Sequence, residues 1–193
     1  MTDSECIVAY CDTEDDEAFK ILVSRHRSFI RKVLFGVFGG WDEHAEEAEQ
    51  EVLIALSTTL HRFRFESSFP TFLYRLTRNK GIDQLRSLQK RRRILGTVGL
   101  NRGGEGHSLS PQGLDEDDRI LLYTILGKLR EIERSILLLK EIEGFTIEQI
   151  AEMMNTPAGT VKSRLHRART KAARLAEGGC HEMQTVEKNS KRA

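Results

Sequence analysis

The chain has 193 residues, of which 39% are hydrophobic and 31% charged, and a formal net charge of +1. That length allows one large domain or two small ones, and the composition is ordinary for a soluble, helix-rich protein. Cys6, Cys11 and Cys180 are too few for a disulfide scaffold, and their odd number leaves one unpaired, so a reducing cytoplasm is expected.

The near-zero charge hides a strong segregation. Residues 12–17 carry five acids and no base, residues 42–51 carry six acids and no base, and residues 71–93 carry eight bases against Asp83 alone. Separate basic and acidic faces imply two kinds of partner: a polyanion, and a protein that presents positive charge.

The first predicted helix spans about 13–38. Phe19, Leu22, Val23, His26, Ile30, Val33 and Val37 form its apolar stripe, with His26 read as a hydrogen-bonded core histidine, and Gly39-Gly40 ends it. A second helix begins near Asp42, with acids at its start where the helix dipole favours them. Trp41, Ala45, Ala48, Val52, Leu56 and Leu60 line its buried side and the acids point elsewhere. Such an acidic face repels DNA, so it must look toward protein or solvent.

Helical periodicity lapses over residues 61–69, HRFRFESSF, where aromatic and basic residues alternate. Rings interleaved with Arg suit unpaired bases, which stack at about 1–3 kcal/mol each while the cations follow the phosphates. Phe63, Phe69 and Phe72 read as core, whereas Phe65, Ser67 and Ser68, beside Arg64, are candidates for base contact. Pro70 suits the first turn of a third helix, about 70–93, that holds Phe72, Leu76, Ile82, Leu85 and Leu88 inward. Arg75, Arg78, Asn79, Arg86 and the run 90–93 lie along it as candidates for phosphate contact. Three helices of this length enclose a small core, so residues 1–95 are expected to fold as one domain.

Residues 96–118 hold six glycines and almost no apolar periodicity, which reads as a flexible linker. Such a segment of about 22 residues reaches roughly 70 Å fully extended. Beyond it, helices at about 119–129 and 132–142 precede a helix-turn-helix and complete a second domain, 119–176. Thr146 with Gln149 fits a capping box, and Ile147, Ile150, Ala151 and Met154 recur at helical spacing. Asn155 breaks the run, Thr156 is placed to cap the next helix, and Pro157 suits its first turn. In that helix Val161, Leu165, Ala168, Ala172 and Leu175 face inward; Thr160, Ser163, Arg164, Arg167, Lys171 and Arg174 face out. Residues 157–175 contain six Lys or Arg and no acid, the pattern of a recognition helix in the DNA major groove. Residues 177–193 read as a polar, frayed tail. The fold class is therefore all-α: two small helical domains joined by a flexible linker, the C-terminal one a helix-turn-helix.

No phosphate-binding GxxxxGK[ST], HExxH, paired CxxC or GxSxG is present, so neither an enzyme active site nor a cofactor is expected. Cys6, Cys11, Cys180 and His181 are the one set that could gather a soft metal, and no metal site is assigned to them. No secretory leader opens the chain and no stretch has the apolar length of a membrane span, so direct membrane insertion is not expected.

The string SSFPTFLYRLTRNKGIDQLR, with EAEQEV before it and GFTIEQIAEMMNTPAGTVKSRLHRAR after it, resembles bacterial RNA polymerase sigma factors of the extracytoplasmic-function group. The resemblance covers about 15–93 and 119–175. It implies a first domain that recognises and melts the minus-ten promoter element, a second that reads the minus-thirty-five element, and docking of both on core RNA polymerase. It implies that Glu46, Glu47, Gln50 and Glu51 belong to the helix pressed onto the polymerase clamp. It further implies that Tyr74, Arg75, Asn79, Asp83 and Arg86 belong to the minus-ten helix, where Arg78 joins them as a candidate for phosphate contact, and Thr160, Val161, Lys162, Ser163 and Arg164 to the start of the recognition helix. Glu47 stands where the family usually shows Asp, and Phe72 where Trp is common; charge and aromaticity are kept. The implied partners are core polymerase, promoter DNA as duplex and opened strand, and an anti-sigma factor. A free-standing helix-turn-helix regulator would account for 119–176 but not for the acidic helix.

Overall fold

The computed structural model describes the backbone of residues 1–95 and 116–190, and the side chains of residues 1–91, 118 and 120–177. The segment read as a linker therefore lies almost wholly outside the described residues, as do the side chains of Cys180 and His181. Every regular element described is helical.

The first domain contains α1 (Asp3–Thr13), α2 (Asp16–Phe38), α3 (Glu43–Thr59) and α4 (Phe69–Leu95), with a single 3-10 turn at Leu60–Arg62. Asp15 and Asp42 cap α2 and α3, each accepting from two backbone N–H groups of the following turn. Gly39 closes α2 at φ 80°, a left-handed conformation that glycine adopts without a Cβ clash. Leu22, Ile30, Leu34, Val52, Leu56, Leu60 and Leu73 meet at the centre, all essentially excluded from solvent.

Helix α1 lies before the first helix predicted from the sequence, which begins at about residue 13. Thr2 and Glu5 form a capping box, and Cys6 and Ile7 are buried in the core. Asp3 pins α1 to α2 by bonding both Arg25 and His26, and Tyr10 stacks on Phe19 with ring centroids 4.7 Å apart. Burial pushes the Asp3 carboxyl up, but the hydrogen bonds and charges of Arg25 and His26 outweigh it and hold it below the ordinary carboxylate value.

The second domain contains α5 (Glu116–Lys128), α6 (Glu131–Leu137), a π-helical turn at Leu138–Ile142, α7 (Ile147–Met154) and α8 (Ala158–Ser190). Ile136, Leu139, Ile150, Met153, Val161, Leu165 and Ala168 form its core. Where the sequence suggested a frayed tail from 177, the backbone of α8 stays helical to Ser190. Nothing from Glu177 to Ser190 is proline, so no residue there lacks the N–H that a helix needs.

The two domains pack face to face. Helix α2 lies against α6 and α4 against α7, and one apolar core runs through both domains. Gly36 makes the approach possible: a Cβ there would stand 2.9 Å from Ser135 Oγ. Ring pairs Phe29–Phe145 and Phe35–Tyr123 span the seam. The buried Arg134 guanidinium donates to the carbonyls of Gly36 and Val37 at the end of α2 and to those of Leu126 and Leu129 in its own domain.

Candidate nucleic-acid interface

Helix α3 separates its acids by depth. Glu46, Glu47, Gln50 and Glu51 lie exposed along one face. Glu49, which the sequence reading grouped with them, is buried and accepts from Arg27 at 2.7 Å and Arg31 at 3.0 Å. It is a structural ion pair, and removing either side of such a pair leaves a buried charge uncompensated. Glu47 accepts from Gln84 at 2.7 Å and Glu51 lies 3.6 Å from Lys80, so α4 steadies the exposed face without covering it. One turn on from Gln50 stands Ile54, 60% exposed, which the sequence did not single out. It stands at the C-terminal edge of the acidic face, just past its last acid, Glu51.

The loop before α4 builds an aromatic stack. Phe69 is buried, Phe63 lies 4.9 Å from Phe72, and Phe65 rests 4.8 Å from Phe63 with half its surface open. Phe65 also has φ 57°, a left-handed conformation that costs a residue bearing a Cβ about 1–2 kcal/mol. Strain that exposes a ring is a pointer to function. Arg64 is exposed beside it and Ser67 half-buried. Ser68 has a structural role: its Oγ accepts from Thr71 N at 3.3 Å, which caps α4.

The residues of α4 fall into three groups. Asn79 and Arg86 are exposed, the latter 3.6 Å from Asp83. Tyr74 is buried with its hydroxyl unpartnered, and burial pushes its phenol well above the ordinary value. Arg75 and Arg78 turn toward the second domain. Arg75 Nη2 donates to the carbonyl of Glu152 at 2.6 Å, and Arg78 Nη2 to the Glu131 carboxylate at 2.7 Å.

The helix-turn-helix forms as its sequence dictates. Thr146 and Gln149 close the capping box at 3.2 and 2.8 Å, and Asn155 turns the chain with φ 47°. The Thr156 hydroxyl donates back to Met154 O at 3.1 Å, where the sequence suggested a cap on α8. Val161, Leu165 and Ala168 are buried, which leaves Lys162, Ser163 and Arg167 exposed and Thr160 half-buried. Lys171 is engaged by Glu133 at 3.1 Å. Arg164 shares a cleft of about 470 Å³ with Arg75, Arg78 and Asn79. Among the described residues, no group of three or more His, Cys, Asp or Glu could hold a metal, and no helix is long and apolar enough to cross a membrane.

A basic recognition helix on a tight turn, carried beside a second basic helix, has the form of a helix-turn-helix DNA-binding protein. Residues 22–92 match the family model for sigma-70 region 2, and residues 119–171 that for sigma-70 region 4. The chain is 32% identical to the ECF RNA polymerase sigma-E factor of Haemophilus influenzae over 88% of its length and 92% of that protein. It is 29% identical to the ECF RNA polymerase sigma factor SigW of Bacillus subtilis, over 80% of this chain and 87% of that protein. In fold it is similar to the sigma factor RpoE solved with the anti-sigma factor NepR from Bartonella quintana: TM-score 0.70, 22% identity, 82% of this chain and 96% of that one. It is similar also to CnrH solved with the cytosolic domain of CnrY: TM-score 0.64, 22% identity, 92% and 99%.

The chain belongs to the ECF sigma factors of RNA polymerase. It is a non-catalytic factor of promoter-directed transcription initiation that binds RNA polymerase and promoter DNA.

Proposed function

We infer a division of labour within that activity. The exposed face of α3, with Glu46, Glu47, Gln50, Glu51 and Ile54, docks on a basic helical surface of core polymerase. Phe65, with Arg64 and Ser67, holds an unpaired base of the minus-ten element, while Arg75, Arg78, Asn79 and Arg86 follow its phosphates. Lys162, Ser163, Arg164 and Arg167 read the minus-thirty-five duplex. Residues 96–118 span the two sites, and the protein works in the cytoplasm under an anti-sigma partner. The partner proposal draws on RpoE, which was solved with the anti-sigma factor NepR.

The observation that carries the reading is the strained, half-exposed Phe65 ring resting on a packed aromatic stack. Strand opening then comes from binding energy: a captured base exchanges its stacking in the duplex for stacking on protein. Phe65→Ala is expected to reduce permanganate-reactive thymines at the promoter about tenfold, from a stacking loss of roughly 1–3 kcal/mol. Promoter binding before opening should hold. An unchanged footprint removes the base-capturing role from Phe65.

A further inference from the structure

Helix α1 lies outside residues 22–92, which match sigma-70 region 2, yet its contacts reach both ends of the loop that carries Phe65. At the near end, Tyr10 stacks on Phe19 of α2 at 4.7 Å and meets the His61 ring at 5.4 Å, tilted by 32°. His61 belongs to the 3-10 turn Leu60–Arg62, where the buried Leu60 accepts through its carbonyl from Phe63 N at 3.0 Å. At the far end, Asp3 Oδ2 accepts from His26 Nε2 at 2.8 Å, and the His26 ring meets Phe69 edge-on at 5.0 Å. Phe69 touches Phe63 at 5.9 Å, and Phe63 carries Phe65 at 4.8 Å. A chain of contacts thus runs from α1 through His26, Phe69 and Phe63 to the exposed ring.

The loop needs such support. Among the described residues, no backbone carbonyl accepts from the N–H groups of residues 64–67, so no hydrogen-bonded turn fixes their path. Phe65 nevertheless holds φ 57°, and a strained residue persists only where its surroundings over-determine it. Side chains must therefore supply the constraint. Released from it, Phe65 would relax to an ordinary φ and its ring would leave Phe63. An arriving base would then have to order the loop as well as stack on it, which weakens capture.

We propose that α1 is a brace for the base-capturing loop, with Tyr10 and His26 as positioning residues that hold Phe65 ready before DNA arrives. Tyr10 fixes the start of the loop through His61. Asp3 fixes its end through His26 and Phe69. The N-terminal helix thereby contributes to strand opening without touching DNA. This rests on the base-capturing role of Phe65 inferred above.

The test reads the full chain by fluorine NMR after incorporation of 4-fluorophenylalanine, with the Phe65 resonance assigned by its loss in Phe65→Leu. In the wild type the neighbouring Phe63 ring displaces that resonance from the position of the free amino acid. Tyr10→Leu keeps apolar bulk but removes the ring beside His61, and His26→Leu removes both the ring beside Phe69 and the bond to Asp3. Together they should return the Phe65 resonance toward the free position. In holoenzyme with core polymerase they should cut permanganate-reactive thymines about fivefold, as for the loss of one aromatic contact, while promoter binding before opening holds. Replacing the leucine at position 10 by phenylalanine (Tyr10→Phe) should recover the part of both readouts that depends on the ring at His61. Leu34→Ala, a core truncation packed beside Gly81 about three turns along α4 from Phe69, controls for stability: a lower Tm with the resonance and opening of the wild type. A wild-type Phe65 resonance in the double variant overturns the brace, as does unimpaired opening or an equal loss in Leu34→Ala. Should the double variant fail to fold, His61→Ala severs the Tyr10 contact at an exposed position, and its Phe65 resonance decides. An unchanged footprint in Phe65→Ala instead removes the base-capturing reading itself, so the two failures are distinguishable.

Discussion

Glu47→Lys combined with Glu51→Lys is expected to lower affinity for core RNA polymerase about a hundredfold, roughly 3 kcal/mol. Both carboxylates are more than half exposed, so neither supports the core, and circular dichroism should show a folded chain. The loss arises because each reversal removes an attraction and adds a repulsion against a basic partner surface. It should shrink as salt is raised, since exposed charges are screened over about 8–10 Å at physiological ionic strength. A titration of fluorescent polymerase core checks this. The same double change at Asp12 and Glu17, exposed and outside α3, is the control, and equal losses at both places would remove the docking role from α3.

Arg164→Ala with Arg167→Ala is expected to weaken binding of polymerase holoenzyme to the upstream promoter element by at least about thirtyfold, from losses of 1–3 kcal/mol per base-contacting arginine. Arg167 is exposed on α8 and donates to the Ser163 carbonyl one turn back at 3.4 Å, so its loss is expected to leave the fold unchanged. Specificity at the contacted positions should relax if the arginines read bases; a uniform loss with a shallower salt slope would mean phosphate contact instead. Footprinting on promoters with a substituted upstream element separates the two. Lys171 is paired with Glu133 at 3.1 Å, and Lys171→Ala is expected to have the smaller effect.

The local chemistry of the fold was legible in the sequence. Asp42, Gly39 and the Thr146–Gln149 pair are signals whose geometry involves neighbours within four residues, and each forms as read. The recognition helix was equally clear, because Val161, Leu165 and Ala168 bury one face and leave the cations on the other. The acids of α3 are exposed as read except for Glu49, which stands four residues after Ala45 and three before Val52 on the buried stripe, where Arg27 and Arg31 of α2 reach it. Helix α1 was missed because it buries only Cys6 and Ile7 and owes its docking to Asp3 meeting Arg25 and His26 more than twenty residues away.

The phase of α4 shows the same limit. The sequence placed Phe72 and Leu76 inward, and both pack half-buried against the core; Leu73, at the centre of the first domain, and Tyr74, which lines a small cavity with Ser135 and Leu138 of the second, are more deeply buried than either. Contacts such as Arg75 with the end of α7, or Gly36 with Ser135, join residues far apart in the chain. Periodicity and spacing carry no trace of them.

The central claim is that two basic helical readers on one chain direct polymerase to a bipartite promoter while an acidic face holds it. Run-off transcription with purified core polymerase, this chain and a promoter library tests it most directly. The account predicts transcripts from a small subset of promoters sharing two elements at fixed spacing, dependent on both Glu47 and Arg164. Transcription no more selective than that of core alone would contradict it.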